Sequence, residues 1–123
     1  MTENKRTTTV FIAHPISGDV RGNMERVLRI CQKVHTEHII PVAPSLVSLQ
    51  YLDDTVIEDR NLGIDANLEC FHRRFVDELW LFGDHISAGM WQEIALAREV
   101  GIPVVAKTAG TLRDLEEIPQ IIA

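Results

Sequence analysis

The sequence has 123 residues, 46% hydrophobic, 24% charged and 6% aromatic, the balance of an ordinary globular domain and not of a disordered or fibrous chain. Twelve Lys and Arg against eighteen Asp and Glu leave a formal charge of −6, which argues against general binding to DNA, RNA or anionic membrane and confines any anionic ligand to a local site. At this length roughly two thirds of the unfolded chain's surface can be buried, so residues 1–123 are expected to form a single domain without metal or disulfide staples.

The N-terminal segment Met1 to Thr9 is polar and basic and no apolar run approaches ~18 residues, so neither a signal peptide nor a membrane span is expected. Cys31 and Cys70 sit in helix-like stretches without close-spaced partners. They read as free buried thiols, which fits a cytoplasmic location.

Val10 to Ala13, ending at His14-Pro15 with Gly18 close behind, predicts a buried first strand running into a tight loop. From Gly22, Met24, Val27, Leu28, Cys31 and Val34 recur at helical spacing and predict a helix with that stripe inward. Ile39 to Ala43 predicts a short second strand, placed at a sheet edge because Pro41 and Pro44 cannot donate to a central ladder. Residues 45 to 55 have no clean period and are expected to be an irregular, partly exposed loop.

Ile57, Asn61, Ile64, Leu68 and Phe71 predict a helix from about Val56 to Arg74, with Thr55 and Glu58 spaced as a capping box. Val76 to Phe82 predicts a third strand, Gly89 to Val100 a helix with Met90, Ile94 and Ala97 inward, and Pro103 to Ala106 a fourth strand. The tail from Thr111 to Ala123 is expected to add a short helix. Strands alternating with helices predict a three-layer α/β fold, flavodoxin- or Rossmann-like, with a four-stranded parallel sheet in the order 2-1-3-4.

In such sheets ligands bind beyond the carboxyl ends of the strands where strand order reverses. Two loops are therefore expected to form the crevice. The first, from His14, Pro15, Ile16, Ser17 and Gly18 through Arg21 to Asn23, leads into a helix N-terminus, where backbone N–H groups can hold phosphate or ribose hydroxyls; a plain strand-to-helix turn is the competing reading. It has neither a Walker A nor a dinucleotide spacing.

The second loop carries Asp84, Ser87, Gly89, Met90 and Trp91 up to Glu93. Near a helix N-terminus the macrodipole is expected to favour the Glu93 carboxylate, which can accept hydrogen bonds from ribose or attack an anomeric carbon; a glutamate present for helix stability alone is the alternative. Phe82 and Trp91 flank this loop as candidates for stacking a nucleobase, with Trp80 as core. The five histidines lack partners that would complete a ligand set, so no metal is expected. His72, Arg73 and Arg74, like Arg21, Arg26 and Arg60, read either as solvated surface or as places for a phosphate to dock.

The run Asp77 to Gly83, then Ile86-Ser87-Ala88-Gly89-Met90, Glu93-Ile94, Ala97 and Gly101 to Val104, together with Phe11 to Pro15, Gly18 and Asn23, resembles the nucleoside 2-deoxyribosyltransferase-like superfamily. That likeness implies a nucleoside site, no metal or other cofactor, a dimer or hexamer, and Glu93 at the position of the glycosyl-accepting nucleophile. The enzymes usually open the first motif as Tyr-x-Ala-Gly-Pro; Phe11 and His14 stand in those places here, a departure that argues against turnover and leaves a nucleotide-shaped crevice.

A closer likeness, through Pro41 to Pro44, Leu52-Asp53-Asp54 and Asp59 to Gly63, is to the phage Thoeris anti-defence sponge proteins. It implies a non-catalytic oligomer that sequesters cyclic ADP-ribose-type signals. It also implies a second site for cyclic oligonucleotides, for which Arg60 and Asn61 are the candidates. The other readings are a nucleoside or nucleotide N-glycosidase, or a deoxyribosyltransferase, using Glu93, and a flavodoxin-like interaction module with no small-molecule ligand. The apolar run Leu46 to Tyr51 predicts a homodimer at least.

Overall fold

The computed structural model describes residues 6–122, with side chains described as far as Glu117. Residues 1–5, which carry part of the polar N-terminal segment, and Ala123 lie outside the described residues. The chain runs β1 (Thr8–Ala13), α1 (Val20–Val34), β2 (Ile39–Val42), α2 (Ser45–Ser48), α3 (Ile57–His72), β3 (Glu78–Leu81), α4 (Ala88–Glu99), β4 (Val104–Ala106) and α5 (Ala109–Ile122).

All strand pairs are parallel and the sheet order is β2-β1-β3-β4, so the predicted three-layer α/β architecture and strand order hold. Strand parity divides the core. Phe11 and Ala13 of β1 join Leu79 and Leu81 of β3 against Phe71 of α3 and Met90, Ile94 and Ala97 of α4. Val10 and Ile12 pack with Val27 of α1, Trp80 and Phe82 in the other cluster. Phe11 and Phe71 meet at 5.0 Å between ring centroids, tilted by 46°.

The polar start of β3 has a local cause. Asp77 accepts from the Thr9 N–H at 2.8 Å and from its hydroxyl at 3.1 Å, which ties the incoming chain to β1. Trp80 donates from Nε1 to Glu78 at 2.8 Å, so its indole N–H is paired inside the sheet layer.

Three expectations need correction. Residues 45 to 55 hold a turn of helix, α2, its backbone bonded from Ser48 N to Pro44 O and from Leu49 N to Ser45 O. The Thr55–Glu58 capping box does not form: the Thr55 hydroxyl donates to Asp53 at 2.6 Å, and α3 starts at Ile57 behind Val56, which supplies no side-chain cap. Leu28, expected on the inward stripe of α1, is 55% exposed.

Candidate functional site

A cavity of about 470 Å³ opens beside the carboxyl ends of β1 and β3, the switch point of the 2-1-3-4 sheet. Ala13 ends β1 at its floor. From the loop after β1 come His14, Pro15, Ile16 and Ser17; from the loop after β3 and the start of α4 come Ser87, Gly89, Met90 and Glu93. Ser17 and Ser87 thus border one cavity.

The two loops are held together locally. Gly83 has φ of +97°, a conformation that favours glycine, and a Cβ there would stand 2.6 Å from Pro15 Cδ. Ser87 caps α4 by accepting the Met90 N–H at 3.3 Å. The Asn23 amide donates to Ile16 O at 2.9 Å and fixes the far end of the first loop.

The third wall comes from residues outside those loops. Ser45, Ser48 and Leu49 of α2, Leu52 and Asp54 of the following loop, and Asp59, Arg60, Gly63, Ile64 and Asn67 of α3 line it. Ser17 Oγ donates to Asp54 Oδ2 at 2.8 Å and bridges the first loop to this wall. The inward stripe of α3 is Arg60, Gly63, Ile64 and Asn67, whereas the predicted stripe included Ile57, which is 62% exposed, and Asn61, which is exposed. A slip of one residue turns a helix face by about 100°. A polar Asn67 between the apolar Ile64 and Phe71 was the available signal.

Several expected contacts fall elsewhere. Gly18, Arg21, Asn23, Phe82, Asp84 and Trp91 do not line the cavity. Phe82 and Trp91 are half-buried and packed against the two core clusters. Arg21 lies instead on a shallow groove with Val20, Met24, Glu25, Leu28 and Leu49. The N-terminus of α1 is served by its own Asp19, which accepts from Gly22 N at 3.2 Å and lies 3.6 Å from Arg26. Asp84 is exposed and bonded to His85 at 2.6 Å, which holds its carboxyl below the usual range. Arg60 lines the cavity, whereas its neighbour Asn61 is exposed and does not. Arg73 pairs with Glu69 at 2.7 Å.

Glu93 is the polar centre of the cavity. It is 7% exposed, and burial pushes its carboxyl up to about 8, with the hydrogen bond from Asn67 acting the other way. The expected stabilisation of the carboxylate by the α4 dipole is overturned: Glu93 lies beyond the first turn, where that effect has faded and desolvation dominates. Asn67 Nδ2 donates to Glu93 Oε2 at 3.2 Å, and Asn67 Oδ1 is buried without a partner among the described residues. His14 donates from Nδ1 to Pro15 O at 2.7 Å, and partial burial lowers its pKa. At neutral pH the cavity therefore presents a neutral acid, an unpaired amide oxygen and a neutral imidazole, with Arg60, Asp54 and Asp59 nearer its polar wall.

Among the described residues no group of three or more His, Cys, Asp and Glu side chains stands close enough to hold a metal ion. Nor, among them, is any helix long and apolar enough to cross a membrane.

These features define a parallel α/β domain with a polar-centred cavity at the switch point. The chain belongs to the family described as a domain of unknown function, DUF7768, whose profile matches residues 8–107. Among solved structures it is similar to a conserved protein from Enterococcus faecalis V583, with 23% identity, a TM-score of 0.49, and coverage of 94% of this chain and 76% of that one. No curated protein matches the chain.

Proposed function

We propose that the protein binds a nucleotide-derived signal of the cyclic ADP-ribose type in the switch-point cavity and sequesters it without breaking its bonds, blocking Thoeris-type host immunity. The observation that carries this reading is the buried Glu93 carboxyl, hydrogen-bonded to Asn67 inside the cavity and pushed up to about 8 by burial. A protonated carboxyl is a poor nucleophile, yet with the unpaired Asn67 oxygen it offers a donor beside an acceptor, the pattern needed by ribose hydroxyls or an adenine edge. The cavity volume of about 470 Å³ lies in the range of small-molecule pockets. Phe11 adds no hydroxyl to orient a nucleophile, and its ring is packed on Phe71.

Sequestration works by mass action, so the protein must match the signal in concentration and bind it tightly; nanomolar affinity corresponds to about 12 kcal/mol. The free thiols Cys31 and Cys70 fit a host cytoplasm. Exposed Leu28, Val47 and Tyr51 support a homodimer, and the family resemblance extends this to a hexamer.

The second reading, an N-glycosidase or deoxyribosyltransferase with Glu93 as nucleophile, is favoured by the placement of that carboxyl on the cavity wall. One experiment separates them. The protein is incubated with cyclic ADP-ribose isomers and denatured, and the released compound is analysed by mass spectrometry. Sequestration yields intact ligand at stoichiometric amounts. Free base in excess of protein would overturn it, and Glu93→Gln would then abolish that release.

A further inference from the structure

α5 lies outside the family-matched span of residues 8–107, yet its start is fastened to one cavity loop at four places. Thr108, just before the helix, donates from Oγ1 to Gly83 O at 2.6 Å. Asp114 Oδ2 accepts from the Ile86 N–H at 2.9 Å, and Arg113 Nη2 reaches Asp84 O at 3.5 Å. Gly110 approaches so closely that a Cβ there would overlap the Asp84 carbonyl. The loop so held connects β3 to α4 and brings His85, Ile86 and Ser87 to the cavity rim.

We propose that α5 is a strut that sets this rim, with Asp114 as the positioning residue acting through the Ile86 N–H on Ser87 and the start of α4. Ile86 is 7% exposed, and a buried N–H left without an acceptor is costly enough to make the loop move. Ser87 follows immediately and caps α4, whose second turn carries Glu93. A displaced Ile86 therefore shifts the rim hydroxyl and the helix that bears the central acid. Asp114 does not itself line the cavity and acts at one remove, through Ile86. Thr111, fully buried and bonded to Leu81 O at 3.3 Å, anchors the strut to β3.

The test compares Asp114→Ala, Asp114→Asn and Thr108→Val with the unaltered chain by amide hydrogen exchange and by titration with cyclic ADP-ribose. In Asp114→Ala the Ile86 amide should exchange about tenfold faster or more while the β1 amides keep their rates, and affinity should fall about tenfold. Asp114→Asn keeps an acceptor oxygen and should restore both. If Asp114→Ala does not fold, Thr108→Val, which removes the bond to Gly83, must speed exchange in the same loop. Ile86 exchange at the unaltered rate, or rising equally with β1, overturns the strut. The affinity measurement rests on the sequestration reading: if the unaltered chain binds no cyclic ADP-ribose, that reading falls, while the exchange comparison still decides the role of α5.

Discussion

Asn67 on α3 donates from Nδ2 to Glu93 on α4 at 3.2 Å, while the other end of the same amide, Oδ1, is buried with no partner among the described residues. The pair joins two helices across the cavity wall and leaves one acceptor unused. A buried unpaired acceptor costs about 1–3 kcal/mol, which a bound donor would relieve.

Stability should depend on the titration of Glu93. Its pKa rises from 4.5 in the unfolded chain to about 8 in the fold, so the folded state binds the proton more tightly. The associated stability is fully present below pH 4.5 and is lost as pH rises through the folded value. Between pH 6.5 and 8, above the range where His14 titrates, urea unfolding should show a loss of about 2 kcal/mol. Glu93→Gln should flatten that slope; a slope unchanged in the variant would mean that Glu93 is not the group responsible.

Asn67→Leu removes the one interaction that favours the Glu93 carboxylate, leaving desolvation unopposed. The Glu93 carboxyl, followed by its ¹³C resonance, should titrate above about 8 in this variant. Affinity for the cyclic ADP-ribose probe should fall about tenfold with the lost acceptor. A Glu93 midpoint that moves down would contradict the geometry.

Ser17→Ala breaks the 2.8 Å bond to Asp54 at the cavity mouth. Both partners are close to solvent, so unfolding free energy should change by less than about 1 kcal/mol. Ligand exchange should be faster in both directions by stopped-flow. Unchanged rates would show that the mouth opens elsewhere.

Two glycines with positive φ should respond differently to alanine. At Gly83 a Cβ would press on Pro15, whereas at Gly101, with φ of +80°, it meets open space. Gly101→Ala should cost about 1 kcal/mol of conformational strain. Gly83→Ala adds a steric clash and should cost more, about 2–3 kcal/mol by denaturant unfolding. Equal losses would mean that the Pro15 contact relaxes freely.

The cavity's position was legible because alternating strands and helices with short connections leave few topologies, and each topology fixes where strand order reverses. Glu93 and Ser87 were legible because a helix start lists its cap and first turns in order. Phe82 and Trp91 border the loop in sequence, yet both pack half-buried against the core clusters and outside the cavity lining, a placement that loop spacing does not encode.

Local rules acting over a few residues therefore determined the strands, four of the helices, the parallel sheet and its order, and the two loops at the switch point. Only the packed chain decided that α3 would close the cavity with Arg60 and Asn67, that α5 would brace its rim, and that Glu93 would hold its proton. Those outcomes depend on which distant groups share a low-dielectric space, and desolvation is set by every neighbour at once and not by spacing along the chain.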